Sequence, residues 1–292
     1  MKIIIILNIS ILFFLNTLLA QEADILSLKQ KEDTLKLYFS LIKNSSNDDE
    51  IKEINNNIIK IMENVLTNSL SFDYPFDSLN YMGKLKSPDK LFRIYNWNLN
   101  YNDGSYEYFG YIQYYDKKKK EYNNYQLIDL SEKIDDAEFV MLNYQKWYGA
   151  LYYKIIPVKF ANKKYYTLLG WDGNNDYTNK KIIEILYFSK SGKPYFGKNI
   201  FKIKKIRKKR IIFEYANMAS MTLRYDDKLK MIVFDHLSPS KPIYKEQYEY
   251  YGPDFSYDGL FFKNGKWNFV SDIDVRNQKV KNKKKKNISY SY

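Results

Sequence analysis

Cysteine does not occur in this sequence, histidine occurs once, at His236, and arginine supplies only five of the 47 basic residues. Without cysteine there is no disulfide framework, no thiolate metal site, no cysteine nucleophile and no thiol for a lipid anchor. A single histidine excludes metal centres built from several imidazoles. The shortage of arginine bears on the net charge of +13, because bidentate recognition of phosphates and bases favours arginine over lysine. The charge is also localised, in Lys117 to Lys120, Lys202 to Arg210 and Lys279 to Lys286; without these runs and Lys2 the remainder carries −5. A mildly acidic body with three basic patches argues against a nucleic-acid partner, and the Lys202 to Arg210 run is the first place to look for any anionic one.

Long apolar runs are missing after Ala20. Before it, Met1-Lys2 leads into an apolar stretch ending at Ala20 and then the polar Gln21 to Asp24, the pattern of a secretory signal peptide. Leu18 departs from the usual small residue three places before the cut. An uncleaved anchor is the competing reading, since about 18 apolar residues are just enough to span a bilayer. Export, to the periplasm or outer envelope, is the expectation, with no membrane span beyond the signal. Removing 1–20 leaves 272 residues, enough for one large or two ordinary domains.

What is present points to mainly β structure behind a helical hairpin (α+β). Between 21 and 75, apolar residues recur at helical spacing: Ile25, Leu28, Leu35, Tyr38, Leu41 and Ile42, then Ile51, Ile54, Ile58, Ile59, Met62, Val65 and Leu66. Asn47 to Glu50 provide a cap and an acidic first turn. The stretch after Leu70 reads as an irregular link. From 76 to 277 the chain reads as short aromatic strands with turns every eight to twelve residues, at Asn102-Asp103-Gly104, Ala161-Asn162, Asp226-Asp227 and Asn264-Gly265. One strand is expected over Lys198 to Ile206, and a loop over Ser131 to Gln145. An antiparallel meander, sandwich or irregular barrel follows, with a basic disordered tail at 278–292.

The candidate chemistry lies in three stretches. Lys163 to Phe188 reads as two strands around the loop Gly170 to Asp176. Asp172, Asn174 and Asp176 alternate like a calcium loop, but Tyr177 and Ile183 stand at its sixth and twelfth places, so a polar turn suffices. Asp235-His236 could supply a general base. Ser238 and Ser240 lack the glycines of a nucleophile elbow, so a serine-hydrolase triad is unsupported. Asp254 and Asp258, with Tyr257 and other aromatics around them, suit a sugar-cleaving pair or, equally, an ordered loop whose aspartates cap turns. Asp272 and Asp274 could join them. Thirty tyrosines fit sugar stacking as well as strand packing.

In TLLGWDGNN, KPYFG, FEYANMASMTLRYD, MIVFDHLSP, YGPDFSYDG and SPDKLFRIYNWN, between Ser87 and Asn277, the chain resembles a family of exported Bacteroidetes proteins. The resemblance implies an envelope or secreted location and brings no activity. The expectation is a non-catalytic module that binds a glycan or a partner protein through Trp171, Asp172, Asn174, Asp235, His236, Asp254, Tyr257 and Asp258, with Arg224 as an anion clamp and no cofactor or metal. The alternatives are a secreted hydrolase using paired aspartates and a structural subunit of an envelope assembly.

Overall fold

Apolar residues three and four apart produce two helices, α1 (Lys2–Asn44) and α2 (Asp48–Thr67), in a computed structural model that describes residues 2–203 and 206–274, with side chains from Gln21 onward. The basic tail at 278–292 lies outside the described residues. Asn47 caps α2: its side-chain oxygen accepts from the backbone N–H of Asp49 at 2.9 Å and Glu50 at 3.2 Å, as an N-cap must to satisfy the first turn. The helix buries Ile51, Ile58, Met62, Val65 and Leu66. On α1, Leu28, Leu35 and Phe39 are buried, whereas Ile25 and Leu41, which the spacing put on the inner stripe, are exposed.

Both helices pack on a four-stranded antiparallel meander, β1 (Gly83–Lys86), β2 (Phe92–Asn100), β3 (Tyr106–Asp116) and β4 (Glu121–Ile128). Successive residues of β2 point to opposite faces. Tyr95 and Trp97 meet the helices, while Phe92 and Ile94 enter the core on the other side. Strand β1 falls in the stretch that reads as an irregular link. What makes it a strand is Ser87, whose hydroxyl accepts from the N–H groups of Leu91 and Phe92 and closes a tight turn. Polar ties fix the helices. Trp97 donates to Asn55 at 2.8 Å, and Glu32 accepts from the Tyr74 hydroxyl and from the N–H and hydroxyl of Ser78. Arg93 donates to the carbonyls of Ser71, Phe72, Tyr74 and Pro75.

The rest of the chain forms β5 (Leu142–Asn143), β6 (Leu151–Phe160), β7 (Lys163–Asp172), β8 (Thr178–Phe188), β9 (Pro194–Phe196), β10 (Phe201–Ile203), β11 (Ile206–Lys208), β12 (Arg210–Ala216), β13 (Leu223–Asp226), β14 (Met231–Pro239), β15 (Tyr251–Lys263) and β16 (Lys266–Val270). A central sheet runs β5-β9-β8-β7-β6, with β12 also paired to β8, and an outer sheet runs β11-β10-β16-β15-β14-β13. Strands β7 and β8 are buried on both faces, Leu168, Ile182 and Leu186 in one core and Leu169, Ile183 and Ile185 in the other. That double burial is why they read as continuous apolar runs rather than alternating ones.

The fold is therefore mainly β, 46% strand against 23% helix, with an N-terminal helical hairpin and no closed barrel. Three expectations need correction. The pairing of β10 with β16 is parallel. Lys198 to Ile206 is not one strand, because β10 ends at Ile203 and β11 begins at Ile206. From Tyr251 onward the YYGPDFSYDG stretch belongs to the 13-residue strand β15 and not to a loop.

One charged pair lies between the sheets. Arg210 donates to Glu184 through Nε at 2.6 Å and approaches it through Nη2 at 2.5 Å, with both side chains wholly buried. Glu184 also accepts from the Tyr152 hydroxyl at 2.6 Å, which accepts in turn from the Trp147 indole at 2.8 Å. Arg210 further donates to the carbonyls of Ala137 and Val140. The last residue of the basic Lys202 to Arg210 run is thus an internal strut, and Lys208 pairs with Glu138. Removing one partner of such a pair leaves the other charged and dry. Glu184→Gln is expected to cost about 3–5 kcal/mol in urea unfolding, and the double change Glu184→Leu with Arg210→Met far less. Equal losses in the two variants would contradict this account.

Candidate functional site

The loop between β7 and β8 directs its polar atoms inward. Asp172 is buried and accepts from the Tyr108 hydroxyl at 2.7 Å and the Asn174 N–H at 2.8 Å. Burial pushes its carboxyl above the usual carboxylate range, against the pull of those hydrogen bonds and of Lys180. Asn174 donates to Thr178 and Glu214 and accepts from Lys180. Trp171 is half-buried and edge-on to Tyr106, with ring centres 5.8 Å apart. A side chain at Gly173 would collide with the Tyr106 ring. The three candidates of this loop are consumed in holding it, so Trp171 is not an open stacking platform.

Two further candidates also have internal partners. Asp235 is buried and accepts from the Thr222 N–H at 2.6 Å, which fixes the start of β13 against β14. Arg224 pairs with Asp226 on the surface at 2.6 Å, so its clamp is already filled by a neighbour. Tyr257 is half-buried opposite Asp235, and its carbonyl accepts from the Ile273 N–H.

The remaining candidates meet at an irregularity in the β14–β15 ladder. Asp235 pairs with Tyr257 and Leu237 with Pro253, so the single residue His236 faces three, Asp254, Phe255 and Ser256. A bulge of this kind re-aims side chains at a sheet's margin. His236 Nδ1 lies 2.7 Å from Asp258, and its Nε2 lies 4.0 Å from Asp254. The Asp258 hydrogen bond, followed by the charges of Asp258, Asp254 and Asp272, outweighs burial and raises the imidazole above its ordinary value of 6.5. Asp254 accepts from the hydroxyl and N–H of Ser256, which lower its carboxyl below the usual range. Between them, Phe255 is 96% exposed at a φ of 71°, a backbone region that bulky residues rarely occupy.

Adjoining the bulge is a surface that composition alone did not single out. Between Pro239 and Tyr251 the chain leaves the ladder for two short 3-10 turns, Pro242–Tyr244 and Tyr248–Tyr250. Tyr244 and Tyr250 stack with ring centres 4.1 Å apart and 18° between planes. Glu249, Tyr250, Tyr251, Gly252 and Pro253, with Ala216, Ser238 and Ser240, line a cleft of about 380 Å³. Close in sequence to its lining residues are Met218 at 98% exposure, Ile243 at 77% and Phe255, and Tyr177 is 71% exposed. The Tyr177 carbonyl accepts from the N–H of Asn217, next to the lining residue Ala216, at 2.8 Å. The signal was the density of tyrosine from Tyr244 to Tyr251, which strand propensity explained away.

No family model, curated protein or solved structure matches this chain, so the site is read from its own chemistry. Among the described residues no group of three or more His, Asp or Glu side chains could hold a metal ion.

Because His236 is the only histidine, one proton NMR titration follows it without ambiguity. Its midpoint is expected above 6.5, and Asp258→Asn should lower it. The stability from this contact is complete below pH 6.5 and is lost as pH rises through the raised folded-state value. A midpoint at or below 6.5 in the unmodified protein would contradict the geometry.

Proposed function

We propose that this protein is an exported, non-catalytic binding module of the cell envelope that holds an extended segment of a partner protein in the tyrosine-walled cleft. The observation that carries the reading is the cleft lined by Tyr250, Tyr251 and Pro253, with the exposed apolar side chains Met218, Ile243 and Phe255 on the segments that supply its lining. Leaving such a side chain in water forgoes about 1.5–3 kcal/mol relative to burying it, and exposed apolar patches mark interaction surfaces. Met and aromatic residues are also those enriched in interface centres. Export rests on the N-terminal pattern described above and on the resemblance to exported Bacteroidetes proteins.

Hydrolysis by paired aspartates fits less well. A glycosidase keeps its two carboxyls apart with the scissile bond between them. Here the imidazole of His236 stands between Asp254 and Asp258. Carboxylates on both sides favour its protonated form, which lacks the lone pair a general base needs. A second reading, a glycan ligand, is favoured by the stacked Tyr244–Tyr250 pair beside the hydroxyls of Ser238 and Ser240 and the carboxylate of Glu249. The structural-subunit reading draws on Leu26, Leu37 and Leu41, which are exposed along α1.

The test is capture from native envelope by the purified chain from Gln21 onward, with a photo-reactive phenylalanine at position 255. One discrete protein adduct is expected, and Met218→Ala or Tyr250→Ala should weaken capture at least about tenfold, as hot-spot residues do. Trp171→Phe should leave it unchanged. Retention on insoluble polysaccharide with no protein adduct would replace the partner by a glycan, and capture insensitive to both alanine changes would reject the cleft.

A further inference from the structure

We infer that the free edge of β4 pairs with the same edge of a second copy of this chain, antiparallel about a two-fold axis through Asn124. The inference does not rest on the tyrosine-walled cleft. Strand β4 is outermost in its sheet, with β3 on one side only. Tyr115 turns its N–H to the Leu91 carbonyl at 2.8 Å, so the alternate residues of β3 face β4 and bond the odd-numbered residues there. The even-numbered residues of β4 therefore face outward. Ile128 does so: its N–H donates to the Tyr144 carbonyl at 2.8 Å and its carbonyl accepts from the Trp147 N–H at 2.9 Å. Tyr122, Asn124 and Gln126 have the same orientation, and among the described residues their backbone N–H and C=O groups meet no partner. A row of unpaired amides is a template for another strand, and proteins blunt it by keeping edges short or by arming them with lysine and proline. Strands β1, β5, β11 and β13 are four residues long or shorter, and β6 carries Lys154, Pro157 and Lys159. From Tyr122 to Ile128, β4 has no lysine, no proline and no charge.

The charges flanking the strand select a second copy and set its direction. At one end Lys117 to Lys120 are exposed, and among the described residues only Lys119 has a carboxylate partner, Glu121 at 3.2 Å. On the segment leaving the other end, Glu132, Asp135 and Asp136 are exposed, with Lys133 as the opposing charge. Antiparallel pairing of two copies sets each lysine turn against the other copy's acidic segment. Parallel pairing would set like against like. The segment around Tyr144 and Trp147 already closes Ile128, so Tyr122, Asn124 and Gln126 remain open on each copy. Only a register centred on Asn124 uses them all, with Asn124 opposite Asn124 and Tyr122 opposite Gln126. Each such pair exchanges two hydrogen bonds. Lys120 then falls opposite Ile128, which brings the lysine turn to the point where the acidic segment begins. A contact of this length lies at the small end of interface sizes, so the dimer is a dissociable one.

The lack of cysteine permits a test on the full chain. Across the axis the two Asn124 Cα atoms would lie about 5.5 Å apart, within the roughly 4.4–6.8 Å that a disulfide bridges. Asn124→Cys is therefore expected to oxidise to a covalent dimer at least about tenfold faster than Lys118→Cys, an exposed position away from the axis, because pairing raises the effective concentration of the thiols. Adding Gln126→Pro removes one outward N–H while the bonds to β3 remain, and it should bring the rate down to that of the Lys118→Cys control. A second pair of variants changes only exposed side chains, each in the Asn124→Cys chain. Lys117, Lys118 and Lys120 replaced by Glu, or Glu132, Asp135 and Asp136 replaced by Lys, should each slow the reaction when present in both copies. Mixing the two variants should restore it, because opposite charges then meet again at both ends. Equal rates for Asn124→Cys and Lys118→Cys, a rate unaffected by Gln126→Pro, or a mixture no faster than either variant alone would overturn the inference. Should the proline variant fail to fold, the mixture decides by itself.

Discussion

Glu184 and Arg210 meet on the face of the central sheet that carries Trp147 and Tyr152, with both side chains wholly buried. A buried pair survives only when its remaining donors and acceptors are also met, and that requirement reaches far into the chain. The Tyr152 hydroxyl, itself held by Trp147, donates to the carboxylate; the carbonyls of Ala137 and Val140 accept from Nη1 of the guanidinium, while Nη2 has only its ion-pair contact with Glu184. Strand β8, the 137–140 loop and β12 are thereby brought into one arrangement. The register of β12 on β8 follows, from Arg210 opposite Glu184 to Ala216 opposite Thr178. Along that strand lie Glu214, which bonds Thr178 and Asn174, and Ala216, which lines the cleft.

The candidate surface thus stands at the end of a chain of buried contacts, and its support and its contact residues are separate groups. Asp172, Asn174, Asp235 and Tyr108 spend their polar atoms on the protein itself. Phe255, Met218, Ile243 and Tyr177 spend almost nothing on it. A binding site needs both kinds, since a rigid frame reduces the ordering cost of association. The left-handed backbone at Phe255 fits the same division. A strained conformation persists only where its surroundings impose it, and here the bulge, the Asp254–Ser256 turn and the His236–Asp258 contact impose it together.

Much of the fold was legible because its signals are local. Asn47 caps the helix that its position announces, and Asn264-Gly265 takes left-handed angles of 51° and 74° in the last hairpin. Strand β1 was hidden because its turn depends on one serine hydroxyl, and the parallel β10–β16 pair because no local pattern records which distant strands become neighbours. For the site, the sequence offered His236 beside Asp235, and Asp254 with Asp258, as separate candidates, and the bulge joins His236 to Asp254 and Asp258. It also promoted Trp171, Asp172 and Asn174, since an inward polar loop and an outward one have the same composition. Phe255 and Met218 were passed over because exposure is a tertiary property. A Phe two residues from a Pro reads equally well as core.

Differential amide hydrogen exchange maps a contact surface without altering the protein, and it tests most directly the claim that recognition lies on the β14–β15 connection. Purified chain would be compared alone and in the presence of solubilised native envelope. The account predicts slowed exchange across 236–256, with residues 170–178 unchanged. Slowing confined to 170–178, or none across 236–256 while ligand is bound, would contradict it.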